Sequence, residues 1–427
     1  AGGAPQSRSI DESVDVLVVG GGAAGVPAAI QAARLGASVL LMEMGSQLGG
    51  TTTTGGVDFP GLFHAWTKQI ISGIGWDLVT RTVELGDGVL PDFSTPPERH
   101  WQHQIRINGQ LYAALAEEEC IASGVDLCYY ELPRSGRLAH DGWQIECCGK
   151  GVRRRVTCHQ LIDCTGGADL VGMLGYPRLR DDETQPGTMI MRFEGYNASA
   201  LDGDEVERRY QSALEDGDLL PGDYAARGGR FMQFLAGGGE NANHIFGADS
   251  STSITKTYAN VRGRAAALRL LRFIRSLPGC EAARIARLQP EAGVRETYRI
   301  EGETIITHQD YTSGRSYPDG VCHSFYPIDL HTEEGVTPKP LTKGTVPVIP
   351  LRALLPKGSR RLLAAGRSVS SDRLANSALR VQASCMGMGQ AAGAAAALSA
   401  RADISPIDLD VELLRRTLEG QGAIVPG

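Results

Sequence analysis

The chain has no run of 18 or more apolar residues, so an ordinary transmembrane helix is not expected. Its first residues, AGGAPQSRSIDES, lack the apolar stretch of a secretory signal, and the default expectation is a cytoplasmic protein with no membrane partner. Positive charge is scarce as well: 42 Lys and Arg stand against 49 Asp and Glu, a formal net charge of −7. Nucleic-acid binding needs clustered cations that displace counterions from phosphates, and the one tight cluster, Arg153-Arg154-Arg155, is too small for that. No nucleic-acid partner is expected. The nine cysteines form no C-x-x-C pair, zinc-finger spacing or secreted framework, which points to reduced, mostly buried thiols and no metal site.

What is present is a long globular chain. Its 427 residues exceed what one apolar core organises, so two domains are expected. After a polar leader, residues 1–13, the stretch VDVLVVGGGAAGVPAAIQAARLGASVLLMEMG reads as strand, glycine turn, helix and strand. Val14 to Val19 is a β-branched run suited to a strand buried on both faces, and Ala24 to Leu35 is an alanine-rich helix closed by Gly36.

Downstream, a helical stretch is expected from about Leu62 past Trp76 and another over Gln104 to Ser123. Val125 to Tyr130 and Trp143 to Cys147 read as strands of a small sheet laid over the first domain, and Gln160 to Cys164 as a further strand ending in Thr165-Gly166-Gly167. Composition changes after about Pro177. A second domain is expected to contain a strand over Thr188 to Phe193 and a helix over Ile254 to Leu277, with Tyr258, Val261, Ala265, Leu268, Leu271 and Ile274 on its apolar stripe. A strand over Arg361 to Ala365 and a small-residue helix over Leu379 to Leu398 then return to the opening style.

Gly20, Gly22 and Gly25 spell G-x-G-x-x-G directly after a strand and at the opening of a helix. The first glycine permits the turn, the second admits a pyrophosphate, and the third lets helix and strand pack closely. Glu43 ends the second strand, 18 residues past Gly25, where a carboxylate would accept ribose hydroxyls. The pattern predicts dinucleotide binding.

Gly49-Gly50, the strand end LIDCTGGADL and the C-terminal RRLLAAGRSVSSDRLANSALRVQASCMGMGQAAGAAAAL decide the expected dinucleotide. Together they resemble the glutathione-reductase/fumarate-reductase flavoprotein superfamily, and within it the FAD-dependent oxidoreductases with a C-terminal G-Q-A-A-G helix. GVRETYRIEGE and YPIDLH resemble that family's central segments. The resemblance implies an α/β fold: a Rossmann-like, doubly wound, discontinuous FAD-binding domain, residues 14–180 and 346–427, with an inserted α+β substrate domain, residues 181–345. It implies FAD contacts from Gly20, Gly22, Ala23, Ala24, Gly25, Glu43, Met44, Gly49, Gly50, Thr51, Thr165 and Gly166. Gly366, Arg367, Asp372 and the turn from Ser377 to Arg380 would lie by the ring. The Gly-Asp frequent in the superfamily is Gly366-Arg367 here, and Gly49 to Gly56 holds no histidine or cysteine, so the flavin is expected to be noncovalent.

Hydride transfer also needs groups that hold the donor and take up a proton. Arg295 is a candidate to grip a carboxylate or oxyanion, or else to pair with Glu296 or Glu301. His323, Tyr326 and His331 are candidate bases, with Asp329 placed to orient His331, and His64 is a further candidate. The expected function is oxidation of a small alcohol, amine or C–C bond by FAD, with oxygen or an electron carrier as acceptor and homo-oligomerisation open. Alternatives are reduction of an unsaturated bond, an FAD-binding RNA-modification protein and a non-catalytic flavoprotein. A built-in NADPH site is not expected: the run Gly237-Gly238-Gly239 leads into an asparagine-rich loop rather than a helix.

Overall fold

The computed structural model describes residues 8–225, 229–332, 335–336 and 338–427. Residues 1–7 of the expected leader lie outside the described residues. The rest of that leader is strand: β1 is Arg8–Val19, six residues longer than expected at its start. Its polar half is held by partners rather than by burial. Glu12 pairs with Arg154 at 2.8 Å and Asp11 with Arg155 at 3.3 Å on the neighbouring strand.

The glycine turn leads into helix α1, Gly25–Arg34, and strand β2, Val39–Glu43. The helix expected from Leu62 is instead a short hairpin of His64–Ala65 with Lys68–Gln69, and helix α2, Ile74–Leu85, starts only after it. Positive φ at Gly61, Trp66 and Gly73 breaks any helix there. Helix α3, Gly109–Ala122, begins later than expected because Asn108 caps it, accepting from the N–H groups of Gln110 and Leu111.

Strands β3, Val125–Tyr129, β4, Glu131–Ala139, β5, Gly142–Gly149, and β6, Val152–Asp163, follow. These do not form a separate sheet over the first domain. They belong to one seven-stranded sheet, six strands of which run in the order β3-β2-β1-β6-β5-β4. Sheet and meander merge because β6 is long: Val152 to Cys158 pairs antiparallel with β5, and Leu161 to Asp163 pairs parallel with the late strand Leu362–Ala364.

A second apolar cluster gathers Met189, Phe193, Tyr210, Phe231, Phe234 and Phe273, all from the stretch expected as an inserted domain. That stretch includes a three-stranded antiparallel sheet of β7, Met191–Glu194, β8, Gly239–Glu240, and β9, Arg284–Leu288, and the long helix α4, Ser253–Ser276. Of the expected stripe on α4 only Ile274 is fully buried. Ala259, Gly263, Ala266, Leu270 and Phe273 face inward, while Tyr258, Val261 and Leu268 are exposed. Small residues won that face because the helix runs close to the segment leading into β7: a Cβ on Gly263 would lie 2.8 Å from Met189 Cβ. Ile306, Tyr311, Val321, Tyr326 and Leu341, all within the expected inserted domain, pack into the larger core.

The chain ends with α5, Arg373–Leu379, and α6, Gln382–Ala402, which lies against α1. The G-Q-A-A-G spacing makes that contact possible. A Cβ on Gly389 or Gly393 would sit 2.0 Å from Ala24 O and 2.1 Å from Ala28 O. All nine cysteines are unbridged, and all but Cys148 are buried. Among the described residues no helix is long and apolar enough to cross a membrane, and no group of three or more His, Cys, Asp or Glu could hold a metal.

Candidate functional site

The three fingerprint glycines meet three different surroundings. Gly20, at φ +98°, would drive a Cβ to 2.4 Å from Cys164 O, and Gly25 would drive one to 1.8 Å from Gly20 O. Both are therefore required by close packing of turn, strand and helix. Gly22 differs: a Cβ there meets nothing within 4 Å. It borders open space, bounded on one side by Gly50, whose own Cβ would lie 3.1 Å from Gly22 Cα. Gly49 N–H donates to Gly21 O at 2.8 Å, which lays this second glycine loop along the first.

Glu43 closes β2 and accepts from Gly21 N–H at 2.8 Å and Gly45 N–H at 2.6 Å. Each oxygen keeps a second lone-pair site for a hydroxyl. Met44 beside it is exposed, Thr51 is exposed on the next loop, and Ala23 and Ala24 precede α1.

Two more parallel strands end at the same crevice. Beyond β6, the Asp163 carboxylate accepts from Thr165 N–H, Thr165 Oγ1 and Val171 N–H, and burial raises its pKa. Gly166 follows at φ +77°. Beyond Leu362–Ala364, Gly366 is at φ +103° and lies against Ala24. Arg367 then reaches across: Nε donates to Gly166 O at 2.9 Å and Nη1 donates to Val294 O. Asp372 has a structural post, capping α5 at Ala375 N–H and accepting from His308 N–H.

On the inserted side of Arg367 lies a buried polar cluster. Asp329 Oδ2 is 3.3 Å from His331 Nε2, and His331 Nδ1 is 3.1 Å from His244 Nε2. Arg380 lies 3.8 Å from Asp329 Oδ2 and donates to Asp329 O at 3.2 Å, while Ser377 Oγ accepts from Asp329 N–H. Burial pushes the His331 pKa down to about 4, reinforced by Arg295 and Arg380 against the pull of Asp329. His331 is therefore neutral at pH 7. The tautomer with its hydrogen on His331 Nε2 suits Asp329 Oδ2 and leaves Nδ1 as the acceptor facing His244 Nε2. Arg295 Nη1 donates to Pro186 O at 2.6 Å and Thr188 Oγ1 at 2.8 Å, and Nη2 to Asn241 Oδ1.

The sequence pattern of the FAD dependent oxidoreductase family matches residues 15–418. The chain belongs to that family. Its cofactor is FAD, and the open side of Gly22, flanked by Gly50, fits a pyrophosphate approaching the start of α1. No curated protein matches the sequence. Solved structures similar to it include a geranylgeranyl bacteriochlorophyll reductase-like protein from Thermoplasma acidophilum, at 13% identity over 96% of this chain and 84% of that one, TM-score 0.43. Another is the OxyS anhydrotetracycline hydroxylase from Streptomyces rimosus, at 14% identity over 96% and 66%, TM-score 0.44.

In this FAD dependent oxidoreductase the candidate residues separate. Arg295, His331, Ser377 and Arg380 share one cluster. His64 lies elsewhere, stacked 3.8 Å from Phe93, with burial lowering its pKa to about 4. His323 sits on the short strand Gly320–His323, its Nδ1 3.3 Å from Pro347 O, and burial lowers its pKa. Tyr326 is buried in the larger core, its hydroxyl 3.0 Å from Gln104 Nε2. Glu296 pairs with Arg299 and Arg373, and Glu301 with Lys357, so neither takes Arg295 in the ion pair considered from the sequence. Two members of the cluster were missed: Gln185, and His244 from the asparagine-rich loop that looked bland. The signal in that loop was its polar residues Glu240, Asn241, Asn243 and His244, directly before Ile245.

Proposed function

We propose that the protein removes a hydride from a small organic substrate to noncovalent FAD, with the His244–His331–Asp329 chain taking the accompanying proton. When bound, FAD supplies the hydride acceptor at N5 of its ring. Gly20, Gly22, Ala23, Ala24 and Gly25 present backbone at the pyrophosphate, and Gly49, Gly50 and Thr51 close over it. Glu43 and Met44 take the ribose end. Thr165, Gly166, Gly366 and Arg367 line the approach to the ring, with Ser377 and Arg380 beside it.

The observation that carries this reading is the reach of Arg367. One guanidinium joins Gly166, at the end of β6, to Val294, the residue before Arg295. The dinucleotide crevice and the polar cluster are thus held side by side. Neutral His331 can pass a proton between His244 and its own ring, while Asp329 fixes the ring's orientation. Arg295 and Arg380 hold negative charge on the substrate.

Anaerobic stopped-flow absorbance of the purified yellow protein against alcohols, amines and acids tests the proposal. At least one compound is expected to bleach the flavin, and oxygen uptake then separates oxygen from a carrier as the acceptor. Arg295→Ala should stay yellow and lose bleaching. A fully loaded protein that no compound bleaches would remove the dehydrogenase reading.

A further inference from the structure

Most of the buried groups that this polar cluster leaves without a hydrogen bond among the described residues are donors. Gln185 is fully buried; its Oε1 accepts from His331 N–H at 3.1 Å and from Arg380 Nη2 at 3.4 Å, while its Nε2 has no partner among the described residues. Arg380 Nε is buried and likewise lacks one. Asn243 Nδ2, next to His244 in the chain, is a third such group. A buried donor left unsatisfied is destabilising, the more so on a charged group, so this arrangement calls for a ligand rich in acceptors.

We propose that Arg380 and Gln185 bind the carboxylate of the substrate, which makes the substrate class small carboxylic acids. A carboxylate presents two acceptor oxygens and no donor, the complement of Arg380 Nε and Gln185 Nε2; an alcohol or amine brings hydrogens of its own and leaves donors facing donors. The guanidinium adds charge, which roughly doubles the strength of such a hydrogen bond. Asp329, the acidic member of the cluster, is engaged by His331 Nε2 and lies 3.8 Å from Arg380. Gln185 is itself fixed from behind, its N–H donating to Glu296 at 2.9 Å within the Arg299 and Arg373 network. The donors are therefore preorganised rather than gathered by the ligand. This inference rests on the proposed function for the reaction that follows binding, but not for binding itself.

Isothermal titration of succinate and benzoate, with succinamide and benzamide as neutral controls, tests it on FAD-loaded and flavin-stripped protein. The loaded protein should bind at least one acid saturably and not the matching amide. Arg380→Met should weaken acid binding by roughly ten- to a hundredfold, with part of it restored in Arg380→Lys. Gln185→Glu keeps both accepted hydrogen bonds but replaces the donor with negative charge, and should abolish acid binding in a folded protein. Equal binding of acid and amide, no binding of either acid, or an Arg380→Met protein that loses FAD yet binds acid unchanged would each overturn the proposal. Acid binding that persists in a protein no substrate bleaches would uphold it while the hydride-transfer reading fell.

Discussion

His244 Nε2 lies 3.1 Å from His331 Nδ1, and Asp329 Oδ2 closes the far end of this chain, 3.3 Å from His331 Nε2. The contact joins two residues 87 positions apart, the pair proposed above to carry the proton. His331 is buried and His244 is partly exposed, so the proposed proton path reaches solvent at the His244 end. Replacing His244 with Gln, which retains a donor but cannot ionise, should lower kcat while KM changes little. It should also remove an ionisation from the kcat/KM pH profile. An unchanged pH profile would exclude His244 from the proton path.

The neutrality of His331 has a cost in acid. Its pKa falls from 6.5 to about 4 on folding, so between those values the unfolded chain binds a proton that the folded one does not. Stability attributable to this group is complete above pH 6.5 and declines as pH falls to about 4, by about 3 kcal/mol in total. Denaturant unfolding from pH 7 to pH 4 should show a shallower loss for His331→Gln than for the unaltered protein. Parallel curves would contradict the buried neutral imidazole.

Gly22 and Gly25 should respond in opposite ways. Gly22→Val fills open space, so the protein should fold with little loss of stability but purify colourless. Gly25→Val would place Cβ 1.8 Å from Gly20 O and should prevent folding. A yellow Gly22→Val protein would refute the placement of the pyrophosphate.

Gly393→Ala tests the seam between α1 and α6. The added carbon would lie 2.1 Å from Ala28 O, and backbone cannot rotate out of the way as a side chain can. A loss of roughly 1–3 kcal/mol is expected in chemical denaturation, with secondary structure retained.

The network behind Gln185 makes a further prediction. Arg299 is buried and donates to Glu296, Asp181 and Ser371 O. Arg299→Met should cost roughly 3–5 kcal/mol because Glu296 stays buried with a weaker set of partners. If the measured loss is below 1 kcal/mol, Arg373 alone satisfies that carboxylate.

Much of the first crossover was legible because its constraints are local. A turn that must take φ +98° at Gly20, a helix that must touch it at Gly25 and a carboxylate closing the next strand all leave marks within one stretch of chain. Asp329 and His331 were legible for the same reason, since two residues apart on an extended segment share a face. The stripe on α4 misled because apolar spacing does not report how near a helix runs to its neighbour, and close approach selected Ala259, Gly263 and Ala266 instead. The meander was misplaced because nothing in β6 alone says that one strand serves two neighbours.

The sequence by itself determined the dinucleotide cradle, since its chemistry is carried by backbone geometry that only particular glycines permit. Tertiary structure decided which polar side chains act together: Gln185, His244, His331 and Arg380 come from four separated segments. Their meeting depends on packing and hydrogen bonds between those segments, which spacing along the chain does not encode.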